Sequence, residues 1–333
     1  MPRFSIIIPV YNRPDEVADL LESLEAQTVR NFEVVLVEDG STVPCREQAE
    51  RAAAAGLDVK YFAKDNEGRS IARNHGMERA TGDYFVFFDS DCVIPPTYFE
   101  TLARELDAAP TDCFGGPDAA HESFTTTQKA INFAMTSFLT TGGIRGGKVQ
   151  LEKFVPRTFN MGFSRRVYDR VGGFREMFSE DIDMSTRIRR EGFSISLIRS
   201  VPVWHKRRGN LRKFFRQVYV FGMSRITLHL LYPGSLKAVH TLPALFVLGC
   251  VALIALGIFA SPWWLLPLGL WLVAIFIAAL VQSRSLAVAL KAVPASCIQL
   301  WGYGLGFIKA FTIKILMGRG RDIDEEIRLR KGK

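Results

Sequence analysis

The sequence predicts an α/β domain built on a mostly parallel, Rossmann-like sheet, followed by amphipathic and transmembrane helices. Three observations carry that expectation. Up to about Asp118 short apolar runs alternate with segments of helical period. Between residues 201 and 237 stand eight basic side chains and no acidic one. From Ala238 to Ser283 no Asp, Glu, Lys or Arg occurs in 46 residues, a stretch that water-soluble surface does not contain.

The elements follow in order. Phe4–Pro9 is a short buried strand, and Pro14–Gln27 a helix with proline in its first turn and Val17, Leu20, Leu21 and Leu24 on one face. Strands are expected at Phe32–Glu38, Leu57–Phe62 and Tyr84–Phe88, with helices at Arg46–Ala55, Arg69–Ala80 and Pro96–Ala108. In open sheets of this kind ligands bind outside the carboxyl ends of the strands, so the turns after Pro9, Glu38 and Phe88 should surround one crevice. Residues 119–200 are less regular, and Thr140–Lys148, with Arg145, is glycine-rich and expected to be a loop that closes over substrates. Asn210–Tyr232 reads as an amphipathic helix, basic through Arg212, Lys213 and Arg216, suited to a membrane interface.

Two spans of about the ~20 residues a bilayer core needs follow, at His240–Ala260 and Pro262–Val281. A third apolar stretch, Pro294–Met317, contains Lys309 and Lys314 and is interrupted by Gly302, Gly304 and Gly306, which predicts a re-entrant or interfacial element. The expected organisation is a domain at 1–205, an interfacial segment at 206–237, a membrane hairpin at 238–283, and the third element with a basic tail at 284–333.

Charge is uneven along this plan. Residues 1–200 hold 24 basic and 30 acidic side chains, and residues 238–333 hold ten and four. Basic residues beside the first span predict a multi-pass protein of the inner (cytoplasmic) membrane whose first 237 residues face the cytoplasm. The net charge of +8 then reads as attraction to anionic lipid, with no nucleic acid as partner. Ile6, Ile7 and Ile8 form too short an apolar run for a targeting peptide, so the N terminus is expected in the cytosol. Cys45, Cys92, Cys113, Cys250 and Cys297 are scattered and argue against a disulfide framework and a zinc site.

Five clusters could carry chemistry. Asp89-Ser90-Asp91 ends an aromatic strand with two carboxylates on one side, either as hard ligands for a divalent ion or as caps of the next turn; the position at the sheet edge favours the ion. Asp39, before Gly40, suits either a nucleobase N–H or an Asx turn. Asn66–Gly76 opens a helix whose N terminus, with Arg69 or Arg73, suits a phosphate; solvated helical arginines are the plainer reading. Glu180, Asp181 and Asp183 satisfy a helix dipole or supply a general base from Glu180 or Asp181. His205, before a basic run, is either a metal ligand or part of a membrane anchor.

The order I-I-I-P-V-Y-N-R, V-E-D-G-S, N-x-G-x-x-x-A-R-N-x-G, D-S-D, G-G-F, E-D-x-D-x-x-x-R and V-x-H resembles that of the family-two inverting glycosyltransferases with a GT-A fold, over about residues 3–230. The hairpin resembles that of integral-membrane members. The resemblance implies that Pro9, Tyr11 and Asp39 line the nucleoside pocket, with Arg73 near the nucleotide and Asn12, Asn74 and Ser90 also on the donor. It further implies Mn²⁺ or Mg²⁺ on Asp89 and Asp91, His205 as a late metal ligand, and Asp181 as the base that deprotonates the acceptor.

The implied partners are a nucleotide sugar, a UDP-sugar first, and a polyprenyl-phosphate, lipid-linked or glycolipid acceptor at the membrane. The setting would be cell-envelope polysaccharide or glycolipid synthesis. Gln217–Phe221 lacks the Q-x-x-R-W pattern of processive synthases, which favours single-sugar transfer. A non-catalytic scaffold that binds a nucleotide sugar is the alternative. No G-x-G-x-x-G follows the first strand, which weighs against a dinucleotide enzyme, and the polar residues a transporter needs are absent from Val251–Ala260 and Trp263–Val281. Oligomeric state is left open.

Overall fold

A computed structural model describes residues 2–119, 124–141, 154–205 and 210–319, with the backbone alone for Asp118, Ala119 and His205. The expected loop beyond Thr141, the basic run after His205 and the tail beyond Arg319 lie outside the described residues. The chain divides into two units. Among the described residues, the first comprises 2–119 and 154–205, and the second 124–141 and 210–319.

The first unit contains β1 (Phe4–Val10), α1 (Pro14–Glu25), β2 (Phe32–Asp39), α2 (Arg46–Ala54), β3 (Val59–Lys64), α3 (Arg69–Arg79) and β4 (Tyr84–Phe87). β5 (Cys92–Val93), α4 (Tyr98–Ala108), β6 (Cys113–Gly115) and β7 (Asp118–Ala119) follow. In the second unit the chain forms α5 (Thr126–Thr136) and α6 (Phe138–Thr141), then returns to the first as β8 (Met161–Ser164), α7 (Arg165–Val171), α8 (Glu180–Arg190), β9 (Ile195–Leu197) and β10 (Val203–His205).

Seven strands form one sheet in the order β3-β2-β1-β4-β8-β6-β9, parallel except at β8. β1 and β2 are nearly unbroken apolar runs because both faces are covered. Ile6, Ile8, Val34 and Leu36 pack on Val17, Leu20, Leu21 and Leu24 of α1. Ile7, Val35 and Val37 pack on Ala72 and Met77 of α3. The third strand begins two residues later than expected, since Leu57 N–H closes the end of α2 on the Ala52 carbonyl. Residues 119–200, which show no clear period, supply β8 and β9 to the sheet, and β10, just after them, joins a small second sheet, β5-β10-β7.

The second unit is helical: α5 and α6, then α9 (Leu211–Leu231), α10 (Ala238–Phe259), α11 (Leu266–Ser283) and α12 (Leu286–Phe311). Two corrections follow. Residues 124–141 leave the expected 1–205 domain, because the apolar face of α5, with Ala130, Ile131, Phe133 and Ala134, packs among α9, α11 and α12. The stretch expected to be a re-entrant or interfacial element is helical without interruption, in α12 from Leu286 to Phe311 and then a π-helical turn at Thr312–Leu316, and its glycines are contacts. A Cβ on Gly306 would stand 2.0 Å from the Tyr219 carbonyl, and one on Gly222 2.0 Å from that of Tyr303. Ala238–Phe259, Pro262–Ser283 and Leu286–Leu316 are each long and apolar enough to cross a membrane.

One buried carboxylate fastens the amino end of the sheet. Glu33 accepts from Ser5 Oγ at 2.6 Å, Thr81 N at 2.5 Å and Lys60 Nζ at 2.5 Å. Burial works to raise its pKa, but these donors prevail and hold it at about 2, against 4.5 for the free side chain. The depressed value contributes stability that is complete above 4.5 and lost as pH falls through about 2. Glu33→Gln should therefore cost roughly 3 kcal/mol at neutral pH and flatten the acid limb of thermal unfolding between those values. Parallel melting curves for the two proteins across that range would refute the assignment.

Candidate active site

The carboxyl ends of β1, β2 and β4 are held together by side chains from the loops that follow them. Asn12 takes a positive φ of 53°. There its N–H donates to Ser41 Oγ at 2.7 Å, and its Oδ1 accepts from Thr42 N at 2.8 Å and Val43 N at 2.9 Å. Asn12 thus ties the loop after β1 to the loop after β2. Glu38 completes that tie, accepting from Ser41 Oγ, Cys45 N and Tyr61 OH.

Asp39, buried at the end of β2, accepts from Lys64 Nζ at 2.9 Å, Glu67 N at 3.0 Å and Gly68 N at 2.9 Å. It fixes the loop that opens α3, in which Gly68 has a φ of 99°. Pro9 lies in the same edge, paired with Val37, and Tyr11 just beyond it is half exposed. These residues form a polar margin over the ends of β1 and β2.

Four carboxylates face four guanidiniums further along the edge. Arg73, with 1% of its side chain exposed, donates to Asp89 Oδ1 at 2.8 Å and to Glu180 Oε1 at 3.1 Å. Arg69 grips both oxygens of the same Glu180 at 2.9 Å, which drives its own pKa upward. Arg13, at the start of α1, donates to Asp91 Oδ2 at 2.8 Å. Arg157 donates to Asp181 Oδ2 at 2.8 Å, while Asp181 Oδ1 accepts the N–H of Ile182. Burial would raise the pKa of Asp181, but Arg157 and that N–H outweigh it and hold the group ionised, below the ordinary aspartate value.

The structure brings Asp89, Arg73 and the Glu180-Asp181 pair into one network, with Asp91 beside them. Ser90 is buried between the two aspartates. β10 pairs antiparallel to β5 with His205 opposite Cys92, one residue past Asp91, so the backbone of His205 stands beside the same turn. Its side chain lies outside the described residues.

Two of the expected donor-side features have partners within the fold. Asn74 braces the Gly172–Phe174 segment: its Oδ1 accepts from Phe174 N at 2.7 Å and its Nδ2 donates to Phe174 O at 2.8 Å. A Cβ on Gly173 would come within 2.4 Å of that amide, so the Gly-Gly pair lets this segment close on α3. The N terminus of α3, expected to receive a phosphate, is already met by Glu176, which accepts from Ser70 N at 3.2 Å and whose pKa is raised mainly by burial. Glu176, Arg13 and Arg157 were not singled out as site residues by sequence reasoning; Arg13 closes the I-I-I-P-V-Y-N-R motif, whereas Glu176 and Arg157 stand at no spacing that marks them.

Asp89 and Asp91 suit a hard divalent cation. Coordination by two carboxylates at a strand end, with further positions left to phosphate and water, is a usual mode for Mg²⁺.

Comparison with known proteins bears on this geometry. The profile described as "Glycosyl transferase family 2" matches residues 5–172. The uncharacterized glycosyltransferase YibD of Escherichia coli is 41% identical over 100 residues, 30% of this chain and 29% of that protein. This chain thus spans less than a third of that relative's length. The succinoglycan biosynthesis protein ExoA of Rhizobium meliloti is 28% identical over 279 residues, 81% of this chain and 82% of that one. Among solved structures, the mannosyltransferase PcManGT of Pyrobaculum calidifontis, in complex with GDP-Man and Mn²⁺, aligns with a TM-score of 0.55 and 21% identity, covering 96% of this chain and 88% of that one. That likeness speaks to the fold, of GT-A type.

If Asn74 holds the Gly172–Phe174 segment, Asn74→Ala should leave a buried N–H and C=O unpaired at a cost of about 1–3 kcal/mol. A lowered melting temperature with unchanged nucleotide affinity is the expected result. Lost affinity in a protein of unchanged melting temperature would return Asn74 to the donor.

Proposed function

The chain belongs to glycosyl transferase family 2, and from that membership we propose that it is a membrane-bound, metal-dependent inverting glycosyltransferase. It would move one sugar from a nucleotide sugar, a UDP-sugar first, to a hydroxyl or phosphate of a polyprenyl-phosphate, lipid-linked or glycolipid acceptor. The cytoplasmic face of the inner membrane, in cell-envelope polysaccharide or glycolipid synthesis, is the proposed setting. The observation that carries this reading is the Arg73 bridge, which joins the strand-end carboxylate Asp89 to the helix-start pair Glu180-Asp181. The three apolar helices support the membrane part.

In this mechanism Pro9, Tyr11 and Asp39 flank the nucleoside. Asp89 and Asp91 would hold Mn²⁺ or Mg²⁺, with His205 as a further proposed ligand, and the ion when bound neutralises the charge that grows on the leaving diphosphate. Arg73 fixes Asp89, so the carboxylate meets its ligand without reorganising. Asp181 accepts the proton of an acceptor hydroxyl, which raises the nucleophilicity of that oxygen toward the anomeric carbon. For a phosphate acceptor, already ionised, Arg157 would orient the anion.

The direct test is thermal stabilisation of the detergent-solubilised chain by a panel of nucleotide sugars, with Mn²⁺, Mg²⁺ or chelator. One donor should stabilise it in a metal-dependent way, and Asp91→Ala should abolish both that effect and turnover while the protein stays folded. Stabilisation by a donor with no transfer to any membrane acceptor would favour the non-catalytic scaffold.

Asp181→Asn should keep donor binding and lose turnover. Arg157→Ala should remove what holds the Asp181 pKa down, leaving burial to raise it. The acid limb of kcat/KM then moves to higher pH. A limb that stays in place would separate Asp181 from the proton transfer.

A further inference from the structure

The two metal-side aspartates are paired with guanidiniums of different kinds. Arg73 on Asp89 is sealed from water, shared with Glu180, and has its guanidinium carbon 5.7 Å from the centre of the Phe174 ring. It has no room to leave. Arg13 is ion-paired with Asp91, has 32% of its side chain exposed against 1% for Arg73, and stands at the residue before α1.

Arg13 holds Asp91 Oδ2 at 2.8 Å, and a divalent cation on either oxygen of the same carboxylate would stand close to that guanidinium. Two such positive charges repel strongly in a partly buried site. The geometry points to Arg13 as an exchangeable internal counter-ion: it occupies Asp91 until a diphosphate draws it away and leaves the carboxylate to the metal. This assignment rests on the metal role proposed for Asp91. Its consequence is that metal and diphosphate bind cooperatively, each raising the affinity for the other by the same factor. A chain without the counter-ion would take up metal alone and show less coupling.

Mn²⁺ binding to the full detergent-solubilised chain, followed by titration calorimetry or by the electron paramagnetic resonance of free Mn²⁺, tests this without any activity. With Mn²⁺ alone, Arg13→Gln should bind about tenfold more tightly than the parent, the ratio expected when one charge-assisted hydrogen bond no longer competes. Arg13→Lys, which keeps the charge, should stay near the parent. Adding UDP or GDP should tighten Mn²⁺ in the parent much more than in Arg13→Gln.

Equal Mn²⁺ affinity in the parent and Arg13→Gln, with Asp91→Asn abolishing binding in both backgrounds, overturns the counter-ion role and leaves Asp91 as a ligand. Weaker binding in Arg13→Gln, at an unchanged melting temperature, also overturns it. Absence of Mn²⁺ binding in every variant, with and without nucleoside diphosphate, overturns this inference and the metal reading together.

Discussion

The arrangement of the catalytic unit depends on one buried cation. Arg73 has almost no contact with water and stands between Asp89, 16 residues away in sequence, and Glu180, 107 residues away. Removing one partner from a buried ionic cluster typically costs about 3–5 kcal/mol, so the three side chains assemble together or not at all. That requirement sets where the first turn of α8 meets the edge of the sheet, and Asp181 is the next residue along that turn. Asn74 and Gly173 bring the preceding segment onto α3, and Arg69 closes the second oxygen of Glu180. The position of Asp181 is therefore a consequence of charge satisfaction several residues away.

The same edge shows two ways of using a carboxylate. Glu38, Asp39 and Glu176 accept backbone N–H groups and act as loop fasteners. Asp89, Asp91, Glu180 and Asp181 face guanidiniums; the Arg73 pairs are locked by burial, whereas Arg13 and Arg157, each about a third exposed, make the pairs a charged substrate can rearrange. A backbone N–H stays where the fold puts it, whereas an arginine side chain has several torsions through which to move. The difference separates the scaffold of the crevice from its working groups, although both are made of the same residue types. Asp39 belongs to the scaffold by its contacts.

Much of this was legible in the sequence. β1, β2 and β4 have apolar runs because helices cover both faces, and their ends carry the turns that hold Pro9, Asp39 and Asp89. β6, β8 and β9 were not legible, since strands of three or four residues hold their place by pairing with neighbours and show no period of their own. The partners of the acids were hidden for a related reason. Arg13 reaches Asp91 across 78 residues and Arg157 reaches Asp181 across 24, and a side-chain contact between loops imposes no spacing on the chain. The bracing role of Asn74 was hidden likewise, because its partner Phe174 lies 100 residues away in sequence.

The helical unit shows why composition alone misjudged α12. Its lysines and glycines make it less apolar than the two spans before it, which suggested an interrupted element. Yet a helix surrounded by other helices has less surface to present to lipid, and so needs fewer large apolar side chains. Within an 18-residue apolar window of each helix, 39% of residues are buried in Leu286–Leu316 against 22% and 11% in the other two spans. Where lipid contact is replaced by helix contact, small residues become favourable because they let backbones approach. Gly302, Gly304 and Gly306 meet Val218, Pro243 and Tyr219 at distances that no side chain would permit. The glycines mark the axis around which α9 and α10 pack, and the lower apolar content of the helix follows from that central place.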